Sequence, residues 1–217
     1  MVRKLAFVSC VLFTLGVAAP ASAQLCTGQP SFSAGPVQIT PSAAFAEGAT
    51  EFGGSVAGGS ERLFAGAGLF RSNYSDIEEG AFALAGGVGA NFVADRSNHV
   101  HVCPIARVSW QNGPNSGDLD LRTLTYGAGG QVGFVATDTG RLAVVPTFGA
   151  SVHNARVNVS FADLDETATE TFGLVNVGVG LIFNQRMSLN PVLAFPVGLE
   201  GSDDVQFSIA FSMNFGR

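Results

Sequence analysis

The stretch that most constrains the fold of this chain is residues 205–215, close to its C-terminal end. Apolar residues occupy every second position, and the positions between them are polar or small. An extended strand with this pattern has one wholly apolar face and one polar face. Eleven residues tilted by about 45° also match the length of β-strand that crosses the hydrocarbon of a bilayer. The stretch therefore predicts a membrane-spanning strand that turns its apolar face to lipid.

The beginning of the chain has the three parts of a secretory signal peptide. Arg3 and Lys4 precede an apolar run over residues 5–17, and the small residues Ala21-Ser22-Ala23 follow. The apolar run is too short to cross a membrane as a helix. We predict a cleaved signal peptide over residues 1–23, with export of the remainder.

The composition narrows the fold class further. Charged residues make up 13% of the chain and 28 of its 217 residues are glycine, against about 25% charged residues in an average soluble domain. No apolar run after residue 23 approaches the roughly 18 residues of a membrane helix. High hydropathy without helical spans leaves a buried sandwich or a membrane barrel, because only helices and closed barrels satisfy their backbone in lipid.

Charge argues against nucleic acid as a partner. Cleavage after Ala23 removes Arg3 and Lys4, which leaves nine arginines and 17 acidic residues, a formal charge of 9 − 17 = −8. A nucleic-acid-binding domain carries the opposite excess. We therefore expect no nucleic-acid partner.

Alternation between apolar and small or polar residues recurs along the chain and predicts ten strands. We expect an all-β, antiparallel, up-and-down transmembrane β-barrel over residues 37–217, preceded by an N-terminal lead-in over residues 24–36. Alternation is weak over residues 62–71, and Pro41 interrupts the first strand, so eight strands is the alternative. The longer connections are predicted to follow odd-numbered strands, as outer loops do in such barrels, at residues 47–51, 73–79, 112–120, 163–170 and 200–204.

Acidic residues are predicted to lie in the connections or at strand ends, as a hydrocarbon band requires. A water-soluble sandwich would place Lys, Glu and Thr on its outer strand faces. These positions are apolar here. A membrane barrel is therefore the favoured interpretation, and a secreted soluble β-barrel remains an alternative.

With these features the chain resembles the small outer-membrane β-barrel proteins of Gram-negative bacteria. The resemblance rests on the signal ending at Ala23, on the alternating strands and on a terminal series similar to the family's C-terminal assembly signal. It departs from the family pattern because Gly216 and Arg217 follow the final aromatic residue. The resemblance implies residence in the cell outer membrane, contact with its lipid and recognition by the barrel assembly machinery. The assembly-signal residues would be Phe207, Ile209, Phe211, Met213 and Phe215.

Two cysteines remain after Cys10 leaves with the signal peptide. An even number in an exported protein suggests a disulfide between Cys26 and Cys103, because exported compartments are oxidising. Cys26 precedes the first strand and Cys103 lies near the start of another, so both are expected at the same end of the barrel. The bridge would draw the lead-in into that opening and narrow it.

Four polar residues are predicted to face the lumen: His101, Arg107, Gln131 and His153. Arg107 is the one charge in the middle of a clearly patterned strand. Such an arginine either biases a pore toward anions or pairs with an acidic residue, and we expect pairing. His99 and His101 share a parity but lack a third ligand, so we predict no metal and no cofactor.

A catalytic interpretation depends on His153. Ser151 lies two residues before it, and a serine beside a base is the arrangement of a hydrolytic nucleophile. Lipid A deacylases of the outer membrane have His before Ser, whereas Ala155 stands at that position here. An alternative would use His153 with the acidic loop predicted at residues 163–170, as in barrel proteases. We predict no enzymatic activity.

The sequence thus predicts a structural, surface-interaction or narrow-pore role, with a surface ligand held by acidic outer loops. The alternatives are a hydrolase at His153 and a secreted soluble barrel. The Gly-x-Gly runs at Gly127/Gly129 and Gly178/Gly180 lie inside strands and are interpreted as close packing in the wall, not as a phosphate-binding loop.

Overall fold

The computed structural model describes residues 25–75, 77–95, 99–113, 119–161, 164–198 and 204–216. The predicted signal peptide lies outside the described residues. No helix in the described part of the chain is long and apolar enough to cross a membrane.

The chain forms a closed antiparallel barrel of ten strands, as predicted, and the eight-strand alternative is wrong. Strands that follow one another in the chain are neighbours, and the last pairs with the first. The ten are β1 (Val37–Ala46), β2 (Ala49–Gly59), β3 (Leu63–Tyr74), β4 (Ile77–Ala90), β6 (Val100–Asn112), β7 (Leu119–Phe134), β9 (Leu142–Phe161), β10 (Leu164–Phe183), β11 (Met187–Val197) and β12 (Gln206–Phe215). Two-residue strands, β5 (Phe92–Val93) and β8 (Thr137–Asp138), edge the connections before β6 and β9. Two 3₁₀ helices, Leu25–Thr27 and Phe32–Ala34, precede β1.

The barrel closes through a two-faced seam between β1 and β12. On the inside, the Gln38 side chain donates to Asn214 Oδ1 over 2.7 Å. On the outside, the rings of Phe45 and Phe207 stack with centroids 6.3 Å apart. The polar and apolar faces of β12 thus each match the corresponding face of β1. This match fixes the register of the two strands, because a shift by one residue would exchange the faces.

The surface of the barrel is apolar and its interior is polar. Leu69 is 68% exposed and Val152 61% exposed, whereas Gln38 and Ser212 inside are 0% exposed. A soluble barrel has the opposite distribution, and an exposed apolar area of this extent marks a surface that meets lipid or another apolar partner. The outer face therefore suits a bilayer.

The weak alternation predicted for residues 62–71 has a physical cause. Leu63 and Leu69 point outward, while Phe64 and Phe70 point inward and are 5% and 3% exposed. Both faces of β3 are therefore apolar. Glycines make room for the inner rings: a Cβ on Gly89 would collide with Phe64. The two rings therefore fill part of the lumen.

The two ends of the barrel differ. The end that carries Val37 and Phe215 is called the terminal end, and the other the loop end. At the loop end β6 stops at Asn112, opposite Arg122 of β7, and β11 stops opposite Gly173 of β10. Residues 119–121, 154–161 and 164–172 continue past these neighbours as a three-stranded ribbon.

The predicted connections at the loop end are therefore wrong in part. Residues 164–170 are not an acidic loop but strand, paired with residues 155–161. Residues 49–51, 73–74, 77–79 and 119–120 are also strand. Polar residues were interpreted as turns, but a neighbouring strand that supplies hydrogen bonds overrides their weak propensity.

Candidate functional site: the plugged lumen

Residues 25–36 enter the barrel at its terminal end and form a plug. Cys26 is 0% exposed and Phe32 5% exposed, and Pro30 is fully buried. Both 3₁₀ helices belong to this plug. Ser31 caps the second, accepting a hydrogen bond from the Ser33 backbone. The lead-in is thus an ordered part of the lumen.

The plug fits against wall positions that lack side chains. A Cβ on Gly180 of β10 would overlap the backbone of Gly28, whose φ of +74° suits glycine. A Cβ on Gly133 of β7 would overlap the Leu25 oxygen, and one on Gly59 of β2 would lie 3.0 Å from the Phe32 ring. The wall glycines therefore create the space that the plug occupies.

Two asparagines of the wall hold the plug by its backbone. Asn190 Nδ2 on β11 donates to the Thr27 oxygen over 2.7 Å, and Asn214 Nδ2 on β12 donates to the Ser31 oxygen over 2.8 Å. The Ser31 oxygen also accepts from the Ala34 backbone N–H, so the two amides add hydrogen bonds that tie the plug's backbone to the wall.

A disulfide joins Cys26 of the plug to Cys103 of β6, with 6.0 Å between the two Cα atoms. This is the predicted pairing. An apolar cluster surrounds it, made of Phe32, Ala57, Phe64 and Ile105. Covalent attachment and apolar packing therefore act at the same place, on the side of the lumen opposite Asn190.

A second group of polar residues lies deeper, on four neighbouring strands. We call Arg107, Gln131, Ser151, His153 and Asn176 the Arg107 cluster. They line one small, partly open cavity of about 20 Å³. Ser151 Oγ and His153 Nε2 are 2.8 Å apart, and the Phe172 ring stacks on His153. Three of the residues predicted to face the lumen, Arg107, Gln131 and His153, line this cavity.

Glycines again decide which side chains meet. Arg107, Gly127 and His153 form one row across β6, β7 and β9. A Cβ on Gly127 would overlap His153 Nδ1, and one on Gly149 would overlap Asn176 Oδ1. The strand glycines are therefore the spaces into which neighbouring side chains lean, in agreement with the close-packing interpretation.

The predicted ion pair of Arg107 is wrong among the described residues. The one ion pair there joins Arg122 to Asp120 at the loop end. Arg107 Nε is buried without a hydrogen-bond partner. The position of an acidic partner depends on the register of distant strands and could not be derived from the sequence.

His99 and His101, which were predicted to share one face, have different surroundings. His101 is buried, with Nδ1 3.2 Å from Asn91 Oδ1, whereas His99 lies in the connection before β6 and is exposed. The described residues contain no group of three or more His, Cys, Asp or Glu side chains able to hold a metal.

At the loop end Glu51 points into the lumen and is 0% exposed. Ser72 Oγ donates to Glu51 Oε2 over 2.9 Å, while Oε1 has no partner. The prediction that all acidic residues lie in connections or at strand ends did not foresee this buried carboxyl group, because residues 47–51 were interpreted as a turn.

Sequence reasoning missed Asn176, Asn190 and Asn214 as functional positions. Each lies on the polar parity of its strand, which is a signal of lumen orientation only. The predicted assembly-signal residues alternate on the outer face of β12, with Phe207, Phe211 and Phe215 exposed by 39%, 39% and 44%.

Three of the solved structures that are similar to this chain share little of its sequence. The N-terminal β-barrel domain of Pseudomonas aeruginosa OprF is 10% identical, covers 82% of this chain and 96% of its own, and has a TM-score of 0.41. Neisserial surface protein A is 13% identical over 83% and 97% of the two chains, at 0.42. LpxR from Salmonella typhimurium is 15% identical over 77% and 73%, at 0.43. No family model matches the chain, and no curated protein matches it.

Proposed function

We propose that this protein is a non-enzymatic barrel of the outer membrane, closed by its own plug, that acts through the surface of its loop end. The apolar outer face supports a bilayer location, and the signal-like beginning of the chain supports export. Fractionation tests the location: the protein should partition with outer membranes and migrate differently on gels before and after heating. Recovery in the soluble fraction would favour the soluble barrel instead.

The plug is the observation that carries the proposal. It contacts six of the ten barrel strands: β2, β7 and β10 through glycines, β11 and β12 through asparagine amides, and β6 through the disulfide. Phe64 and Phe70 fill further lumen. A continuous water path is therefore obstructed, which favours a platform over a narrow pore.

Conductance tests the closed state. The oxidised protein, shown to be folded by its heat-modifiable mobility, should give no steady channel current in planar bilayers. A steady, discrete conductance from this preparation would establish the narrow-pore alternative. The same preparation after reduction serves as comparison, because loss of the disulfide removes one attachment of the plug.

The ribbon provides the surface at the loop end. Asp165, Glu166, Thr167 and Thr169 are exposed on its β10 strand, beyond the last residue that pairs with β11. Carboxylates here suit a cationic ligand, and the predicted surface partner is assigned to this ribbon. Binding of a basic peptide should fall for Asp165→Asn with Glu166→Gln, and should remain for the distant surface change Asp138→Asn.

A hydrolase remains the second candidate because Ser151 and His153 are in hydrogen-bond contact. The carboxylates of the protease-like alternative are distant: Glu166 lies opposite Val159, whereas His153 lies opposite Phe172, six residues or about 20 Å along the strand. An ester-hydrolysing activity that Ser151→Ala abolishes in folded protein would establish the enzyme. Equal background rates for both proteins would exclude it.

A further inference from the structure

We propose that the Arg107 cluster is a binding site for one small monovalent anion, such as chloride, bromide or nitrate. The site lies inside the barrel, is separate from the plug attachments and the ribbon, and does not depend on the surface role proposed above. Its five side chains come from β6, β7, β9 and β10 and face one cavity.

The charge of Arg107 is the first argument. Its guanidinium faces the lumen and forms no ion pair with any described residue, and its Nε is buried without a hydrogen-bond partner. The buried Glu51 carboxyl group is engaged by Ser72 instead. A buried charge without a counter-charge is costly, and an anion at the guanidinium relieves that cost.

The neutral partners are the second argument. Gln131 Oε1, Asn176 Oδ1 and His153 Nδ1 are all buried without partners. An amide rotated about its last bond offers N–H groups in place of the oxygen, so Gln131 and Asn176 can donate to an anion. Ser151 supplies a hydroxyl group at the same cavity. The positively charged guanidinium of Arg107 therefore lies among several neutral groups that can donate hydrogen bonds to an anion.

The single positive charge of the Arg107 cluster favours a monovalent anion. One guanidinium compensates one negative charge, and His153 is coupled to Ser151 rather than to a carboxylate. A divalent anion would leave one charge uncompensated inside the barrel, at a cost of the same kind. The plug obstructs the terminal end, so the anion would reach the site from the loop end.

Line broadening of the halide NMR signal tests the proposal on the folded, oxidised protein. Chloride should show a saturable broadening that nitrate displaces and sulfate at equal ionic strength displaces less. Arg107→Gln should weaken chloride binding about tenfold or more, since a hydrogen bond to a charged group is lost. Arg122→Gln removes the same charge from the exposed Arg122–Asp120 pair and should leave the broadening unchanged.

The outcomes are distinct. Absent or unsaturable broadening in the wild type overturns the proposal, as does equal broadening in Arg107→Gln, or an equal loss in Arg122→Gln. If Arg107→Gln does not fold, crystals of the wild type in bromide decide the matter. An anomalous peak beside the Arg107 guanidinium supports the site, and anomalous peaks confined to other places overturn it.

Discussion

The side-chain amide of Asn214 donates a hydrogen bond to the backbone oxygen of Ser31 over 2.8 Å, which ties the last strand of the barrel to the plug. The same amide group accepts from Gln38 of β1. Closure of the barrel and seating of the plug thus meet at one side chain. The plug is therefore positioned by the same seam that completes the wall, and its attachment can be tested separately at sites away from that seam.

The disulfide gives the first prediction. The folded protein should have no thiol that reacts with an alkylating reagent until it is reduced, as mass spectrometry can measure. Replacement of both Cys26 and Cys103 by Ser should lower the free energy of unfolding by about 3–5 kcal/mol, because the bridge closes a long loop of the unfolded chain. Two reactive thiols in the folded, unreduced protein would contradict the assignment.

The contact between Gly180 and the plug gives the second. Gly180→Ala places a methyl group against the Gly28 backbone, which cannot move aside as a flexible side chain can. The plug should become more sensitive to protease, while the heat-modifiable barrel remains.

Gly173→Ala is the matched control for that change. It lies on the same strand, and its added Cβ meets Val197 at 3.6 Å, an ordinary packing distance. Protection of the plug should be unchanged there. Equal protease sensitivity in both variants would mean that strand β10, and not the plug contact, is disturbed.

Much of the barrel followed from the sequence alone. The period-two alternation of residues 205–215 recurs along the chain and predicted ten strands, although Pro41 and the weak pattern of residues 62–71 left eight as the alternative. The pairing of Cys26 with Cys103 followed from the number of cysteines and their places along the strands. Alternation depends only on neighbouring residues of one strand, and the cysteine pairing depends on the number of cysteines. Neither prediction requires knowledge of how distant strands pair.

Other features depend on contacts between distant positions. Asn190 meets Thr27 across 163 residues of chain, and nothing near either residue indicates the other. The Phe70 ring fits inside the barrel because Gly53 and Gly68 lack side chains. The sequence alone does not show that these three residues lie together. The ribbon escaped prediction because its acidic and threonine residues resemble a loop when the neighbouring strand is ignored.

Asn190 gives the third prediction. Asn190→Ala removes a buried donor to the Thr27 oxygen and should lower the free energy of unfolding by about 1–3 kcal/mol. Asn154→Ala is the control, because its amide makes an exposed hydrogen bond to Thr171, and a change within about 0.5 kcal/mol is expected. Denaturant unfolding measures both. Equal effects would contradict a specific attachment of the plug by Asn190.

The outer face gives the fourth. Leu69 is 68% exposed and lies opposite Gly54 and Leu84, well inside the apolar band. In vesicles, Leu69→Arg should lower the free energy of unfolding by about 2–4 kcal/mol, because the charge faces hydrocarbon. Thr169→Arg, on the exposed part of the ribbon, should change it by about 0.5 kcal/mol or less. Urea unfolding from vesicles compares them, and a neutral Leu69→Arg would show that this face does not meet lipid.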